Sequence, residues 1–249
     1  MRALIPAAGM ATRLRPLTEN CPKCLLPIGE HTLLERALTA LEEEGIREIT
    51  ICTGYLAEQI RHFVGHNFPQ LDVHFVHNAL YETTNNIYSL YLMRQDAEGE
   101  DVLLLDSDIV FDRHILRRLL DNPSGNTLAL NSHALGEEEI KVIVDAEGRV
   151  EEISKTCSVE KAVGESIGIE KMSGDYTSAL YKEMERMIED EGLSNVFYER
   201  AFERLIPKGH FFTVTDVSDL FAAELDTPED FEEAARHFTA GRPRETFTL

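Results

Sequence analysis

Arg2-Ala3-Leu4-Ile5-Pro6-Ala7-Ala8-Gly9-Met10-Ala11-Thr12-Arg13-Leu14-Arg15-Pro16-Leu17-Thr18 opens the chain, and Pro22-Lys23-Cys24-Leu25-Leu26-Pro27 follows closely. The apolar run from Ala3 to Ile5 is too short for a helix and stops at Pro6, so it reads as a buried strand. The residues after it are small, which lets backbone N–H groups approach a ligand closely. The same loop then delivers Arg13, Arg15 and Lys23, cations suited to phosphate oxygens. A strand opening into such a loop predicts an α/β chain with a nucleotide-phosphate site near its beginning.

From that strand the pattern alternates. Strands are expected at Glu48–Thr53, Asp72–His77 and Val102–Leu105. A helix over His31–Glu44 carries Leu33, Leu34, Ala37, Leu38 and Leu41 on one face and ends at Gly45. Further helices are expected at Ala57–Val64, Asn85–Asp96 and Asp112–Leu120. Alternating βα units imply a mainly parallel sheet with helices on both faces, and ligands then bind at the carboxyl ends of the strands. The residues after Ile5, Thr53 and Leu105 are therefore the ones to inspect.

The second half changes rhythm and makes the sheet mixed. Strands are expected at Thr127–Asn131, Lys141–Asp145, Arg149–Ile153 and Ser166–Lys171, with Asp145-Ala146-Glu147-Gly148 as a turn. Helices follow at Gly174–Glu191 and Val196–Leu205. A strand pair, Phe211–Val214 with Leu220–Leu225, precedes a last helix at Pro228–Phe238. Asp226-Thr227-Pro228-Glu229-Asp230 is a helix-start signature. Without repeats or a linker, residues 1–239 read as one Rossmann-like domain and residues 240–249 as a loose tail.

Composition narrows the function. The 249 residues are 43% hydrophobic, enough for a full core. No apolar run reaches membrane-spanning length, and the first residues lack the pattern of a signal peptide. The formal net charge of -21 makes nucleic acid and anionic membranes poor partners. It also repels a nucleoside triphosphate, so phosphate binding needs local cations and a divalent metal. Of the four cysteines, Cys21 and Cys24 form C-x-x-C, but Cys52 and Cys157 stand alone and supply no second pair for zinc. The working residue of that segment is Lys23, and the expected location is cytoplasmic.

Asp106-Ser107-Asp108 follows the apolar run Val102–Leu105 and places two carboxylates at the ligand edge of the sheet. Hard oxygen donors suit Mg²⁺, and only one of the two is expected to face it directly. The competing reading is an acid capping the next loop. Asp226 follows Leu220–Leu225 in the same way, and its competing reading is the cap of the last helix. Two acids plus Lys23 and Arg13 form a minimum set for nucleotidyl transfer, in which the acceptor brings its own anionic oxygen. No P-loop, G-x-G-x-x-G or G-x-S-x-G motif occurs. His77 and His133 read as polar strand ends. Thr84, Asn85 and Asn86 either cap a helix or face a base or acceptor.

These segments together resemble the sugar-phosphate nucleotidyltransferase family, the Rossmann-like pyrophosphorylases. Ala7–Leu14 with Pro22-Lys23 carries the resemblance most specifically. Asn85–Leu90, Asp106-Ser107-Asp108 and Glu224-Leu225-Asp226 resemble the small cytidylyltransferases that act on phosphocholine or aminoethylphosphonate. The resemblance implies that Ala7, Ala8, Gly9, Met10, Ala11, Thr12, Arg13 and Lys23, with Gly54, Thr84, Asn85 and Asp106, hold the nucleotide. It implies Mg²⁺ on Asp108 and Asp226, with Arg13 and Lys23 offsetting charge. The acceptor would lie near Asn86, Tyr88, Glu170 and Tyr198, and a homodimer is a family-level expectation. Two departures stand out. Ala11 replaces the usual glycine, so the loop either takes another path or does not need positive φ there. The chain also has no tryptophan, the strongest face for a quaternary ammonium, leaving Tyr88, Tyr198 and Phe221 as aromatic candidates. That moves the expectation from choline toward a primary ammonium or a polyol phosphate. The expected reaction is transfer of CMP from CTP to a small phosphate or phosphonate, releasing pyrophosphate. A sugar 1-phosphate uridylyl- or thymidylyltransferase and a non-catalytic nucleotide-binding regulator are the alternatives.

Overall fold

Every residue of Val102–Leu105 is fully buried, as expected of a strand covered on both faces. The computed structural model describes residues 1–137 and 139–240. In chain order these form β1 (Arg2–Ala7), β2 (Pro27–Ile28), β3 (His31–Thr32), α1 (Leu33–Glu43), β4 (Glu48–Thr53), α2 (Ala57–Asn67) and β5 (Asp72–His77). Then come α3 (Asn86–Leu92), α4 (Arg94–Ala97), β6 (Val102–Leu105), β7 (Ile109–Phe111), α5 (His114–Asp121), β8 (Thr127–Asn131), β9 (Lys141–Val144), β10 (Val150–Ser154) and β11 (Gly164–Met172). The last are α6 (Gly174–Glu185), α7 (Glu199–Leu205), β12 (Thr213–Asp216), β13 (Ala222–Glu224) and α8 (Pro228–Ala240). Ala240, expected in the tail, thus ends a helix, and residues 241–249 lie outside the described ones. No helix among the described residues is long and apolar enough to cross a membrane.

One nine-stranded sheet runs β10-β9-β11-β6-β1-β4-β5, with β8 on β11 and β12 on β8. The β6-β1-β4-β5 part is parallel, and β11 is antiparallel to its neighbours. This is the mixed, mainly parallel sheet that the βα rhythm predicts. Alternation along the strands feeds two cores. Ala3, Ile5, Leu103 and Leu105 join Leu34, Leu38, Ile60 and Leu119 on one face. Leu4, Val102 and Leu104 join Ile87, Leu90, Leu180 and Phe202 on the other. A fully buried leucine contributes about 1.5–3 kcal/mol, so these faces outweigh weak local preferences.

Element ends show where local chemistry overrides the apolar period. Thr32 starts α1 because its hydroxyl accepts from the Glu35 N–H at 3.1 Å, while the Glu35 carboxylate accepts from the Thr32 N–H at 3.3 Å. The helix expected over Asn85–Asp96 breaks at Met93, and α6 gives way to a π-turn over Arg186–Asp190. The expected pairing of Phe211–Val214 with Leu220–Leu225 is incorrect. β12 lies parallel to β8, stitched by the Thr127 and Thr215 hydroxyls at 2.8 Å. β13 instead pairs with β7, a strand that the sequence reading did not mark.

The loop after β1 turns at Ala11, whose φ of 45° and ψ of 52° are left-handed. The position where the family carries glycine therefore does adopt positive φ. Hydrogen bonds from the Thr18 hydroxyl and the Leu14 N–H to the Ala11 carbonyl, at 2.9 and 3.0 Å, hold it there. Ala11→Gly is expected to raise the melting temperature by about 2 °C. Relief of about 1–2 kcal/mol of left-handed strain exceeds about 0.5–1 kcal/mol of added chain entropy. A lower melting temperature would contradict strain at Ala11.

Candidate active site

The carboxyl ends of β1 and β6 open into a cavity of about 380 Å³. From the first loop, Ala7, Ala8, Gly9, Ala11, Arg13 and Lys23 line it, whereas Met10 and Thr12 do not. Gly54 is not in the wall either. It lies behind it, where a Cβ would come within 2.7 Å of both the Ala8 carbonyl oxygen and the Tyr81 Cβ. Its contribution is to let Ala8 and Tyr81 close in. Thr84, Asn85 and Asn86 line the cavity too. Asn85 also caps α3, accepting from the Asn86 N–H at 2.8 Å, and Asn86 accepts from the Tyr198 N–H at 2.9 Å. The segment thus caps α3 and lines the cavity at once.

Asp106 and Asp108 diverge because the chain turns at Ser107 and Asp108 between β6 and β7, whereas two residues this far apart on one extended strand would share a face. The Asp106 carboxylate accepts from the Tyr198 hydroxyl at 3.0 Å. Burial, then the charges of Asp108 and Glu199, hold its carboxyl well above the usual range. Its place depends on Gly168, where φ is +73° and a Cβ would sit 2.5 Å from Asp106 Oδ2. Asp108 faces the other way, toward the first loop. Lys23 Nζ donates to Asp108 at 2.9 Å and to Asp226 at 2.7 Å, with only 11% of its side chain exposed. Burial alone would lower the Lys23 ammonium, but the two carboxylates outweigh it and raise it. Arg13 donates to the other Asp226 oxygen at 2.5 Å. Burial would raise the Asp226 carboxyl, yet Lys23 and then Arg13 hold it below its ordinary value.

The start of α8 leaves Asp226 available for this. Thr227, not Asp226, accepts from the Asp230 N–H at 3.2 Å, and the Asp230 carboxylate accepts from the N–H groups of Asp226 and Thr227 at 2.9 and 2.7 Å. Glu224 completes the group: one oxygen each of Asp108, Glu224 and Asp226 lies within 4.8 Å of the others. Desolvation at the wall, then Asp108 and Asp226, push the Glu224 carboxyl up to about 8. Three hard oxygen donors with excess negative charge suit a divalent cation such as Mg²⁺.

Three expected acceptor residues are corrected. Tyr198 and Glu170 are fully buried beneath the wall, Tyr198 engaged with Asp106 and Glu170 accepting from the Ser166 hydroxyl at 3.1 Å. Tyr88 packs on the apolar core near Tyr91. Phe221, a candidate aromatic face, instead stacks on His237 at 3.8 Å in a separate cavity. Apolar packing and buried hydroxyl–carboxylate bonds claim these side chains first. The cavity wall contains residues that sequence reasoning missed as site residues: Glu224, Asn78, Tyr81, Lys155, Phe197 and Glu199. Glu224 had a signal, since it precedes Asp226 by two on an extended strand and shares its face. Lys155, Phe197 and Glu199 had none, because remote segments bring them together. Cys24 lies in the wall too, but burial pushes its thiol up to about 12, which makes it inert at neutral pH.

Burial, then Glu199, push the Glu170 carboxyl from 4.5 up to about 8. The folded chain thus keeps a proton that the unfolded chain loses, so stability falls as pH rises from 4.5 to about 8. Glu170→Gln removes this titration. Its melting temperature should vary several degrees less than the parent's across that window. Equal slopes in a thermal-melt series would exclude the buried proton.

The family described as the MobA-like NTP transferase domain matches residues 3–204. The chain is 28% identical over 255 residues to CMP-5'-(3-aminopropyl)phosphonate synthase of Streptomyces rubellomurinus, covering 98% of this chain and 40% of that protein. It is 40% identical over 107 residues to choline-phosphate cytidylyltransferase of Streptococcus pneumoniae, covering 43% of this chain and 45% of that one. The chain thus spans under half the length of these two relatives. The solved CTP:phosphocholine cytidylyltransferase of Streptococcus pneumoniae shares the fold, with a TM-score of 0.81 at 24% identity over 95% of this chain and 98% of that one. With a family match over most of its length and the same mixed sheet, the chain belongs to the MobA-like NTP transferase domain family.

Proposed function

We propose that the chain transfers a cytidylyl group from CTP to an oxygen of a small phosphate or phosphonate, releasing pyrophosphate. The observation that carries this reading is the group of Asp108, Glu224 and Asp226, bridged by Lys23 and Arg13, facing a small-residue loop at the carboxyl edge of the sheet. The names of relatives that act on choline phosphate and make an aminopropylphosphonate conjugate support cytidine and a small acceptor. Four free thiols support a cytoplasmic setting.

The backbone of Ala8 to Ala11 approaches the phosphates, and Thr84 and Asn85 offer hydroxyl and amide groups to the base. Mg²⁺ on the three carboxylates would neutralise phosphate charge and polarise the α-phosphorus. An acceptor oxygen attacks that phosphorus in line. Its new P–O bond forms as the bond to the β-phosphate bridging oxygen breaks, and pyrophosphate leaves with the electron pair. The acceptor arrives anionic, so no protein nucleophile is needed. Lys23 and Arg13 stabilise the charge that builds on the transferred and leaving oxygens.

The test is pyrophosphate release with Mg²⁺ across CTP, UTP, dTTP, ATP and GTP, against amino-, choline- and polyol-phosphates and glucose 1-phosphate. CTP with a small non-sugar acceptor is the expected pair. Turnover confined to UTP or dTTP with glucose 1-phosphate would replace this reading. Asp108→Ala should abolish turnover with the circular-dichroism spectrum unchanged, and Lys23→Ala should lower kcat by about 10²–10³-fold. Full activity in Asp108→Ala would sink the metal assignment, and an undiminished kcat in Lys23→Ala would sink its charge-stabilising role.

A further inference from the structure

Lys141, the first residue of β9, is only 2% exposed. Its Nζ donates to the backbone carbonyls of Glu137 and Glu139, each at 3.3 Å, and of Lys155 at 2.8 Å. These contacts use all three N–H groups of an ammonium. The acceptors are neutral carbonyls, so the charge leaves water without a carboxylate to offset it. Burying a charge is costly even when it is hydrogen-bonded, and an apolar side chain would fill the same space without that cost. What the ammonium adds is convergence. Two of its carbonyls belong to the loop before β9, and the third belongs to the residue that follows β10. One atom therefore sets the separation of two loops that are remote in sequence.

Both loops reach the cavity, because Glu139, Ile140 and Lys155 line it. The loop before β9 is also braced elsewhere: the Gly136 N–H donates to the Glu139 carboxylate, and the Ser166 N–H to the Ile140 carbonyl, each at 2.9 Å. After Lys155 the bonds are short-range. The Thr156 N–H donates to the Ser154 hydroxyl at 3.2 Å, and the N–H groups of Lys161 and Ala162 donate to the Ser158 carbonyl at 3.2 and 3.1 Å. These shape the loop within itself, while Lys141 ties its start to the loop before β9. Lys155 Nζ lies 5.0 Å from the Phe197 ring centroid, so a shift of the Lys155 backbone carries a cation of the cavity wall with it. In the transfer reaction proposed above, the small-residue loop takes the phosphates of the nucleotide, and Thr84 and Asn85 take its base. The wall built by Glu139, Ile140, Lys155 and the β11 residues Glu165 and Ser166 is left to the acceptor. Resting on that reading, we propose that Lys141 is a positioning residue: from outside the cavity, its ammonium holds the two loops at the spacing that fits the acceptor.

Lys141→Met removes the three donors and keeps an apolar stem of similar length. Trypsin recognises Lys155 and Lys161 in the second loop, and it should cut there at least about tenfold faster in the variant than in the parent. Steady-state rates with CTP, Mg²⁺ and whichever of 2-aminoethylphosphonate, phosphocholine and glycerol 3-phosphate is turned over fastest supply the second readout. The acceptor KM should rise at least about tenfold, with kcat and the CTP KM within about twofold of the parent's. Lys141→Gln, which keeps two N–H donors on a shorter stem, should show the same split at smaller size, and it decides the matter if the methionine variant does not fold. An unchanged cleavage rate, an unchanged acceptor KM or an equal rise in the CTP KM overturns the proposal, and so does loss of the fold in both variants. A parent that turns over no nucleotide and acceptor pair refutes the transfer reaction instead. Calorimetric titration of the same three acceptors into the protein with CTP then takes the place of KM: affinity at least about tenfold weaker in the variant supports the role of Lys141, and equal affinity refutes it.

Discussion

A single ammonium holds the catalytic end together. Lys23 joins the first loop to Asp108, which follows β6, and to Asp226, which follows β13 some 203 residues further along the chain. With 11% of that side chain exposed, the contact is poorly screened, and burial strengthens the attraction as it raises the cost of losing it. Removing the ammonium would leave Asp108, Glu224 and Asp226 facing one another. The mutual approach of the three acids depends on this cation being present.

A chain carrying a net charge of -21 has to manage its acids, and it does so in two ways. Around Lys23 and Arg13, cations are paired with carboxylates that lie close enough to share a metal. Deeper in, Asp106, Glu170 and Glu199 have few counter-charges, and burial shifts all three upward. Acids of the first kind are poised for ions, and those of the second are held close to neutrality. The two groups differ mainly in whether Lys23 and Arg13 reach them.

Much of this was legible in the sequence wherever a local pattern maps onto a local structure. The runs Glu48–Thr53, Asp72–His77 and Val102–Leu105 became strands at those residues, and the loop from Ala7 to Arg13 lies at the carboxyl edge of its strand. What escaped was non-local. The pairing of β13 with β7 depends on two three-residue strands separated by over a hundred residues, too short to show a period. Tyr198 looked like an exposed aromatic face, but its hydroxyl found a buried carboxylate instead. Phe197 and Glu199, on either side of it, face the cavity because α7 begins there, which no residue type announces.

The β7–β13 ribbon lies outside the nine-stranded sheet and carries Asp108, Glu224 and Asp226 at one end. Its register, Glu224 opposite Ile109, sets the spacing of those acids independently of the large sheet. Short peripheral units open more readily than sheet interiors. Inactivation and global unfolding are therefore separable events in this molecule: gentle heating can disperse the acids while the nine strands and their two cores persist.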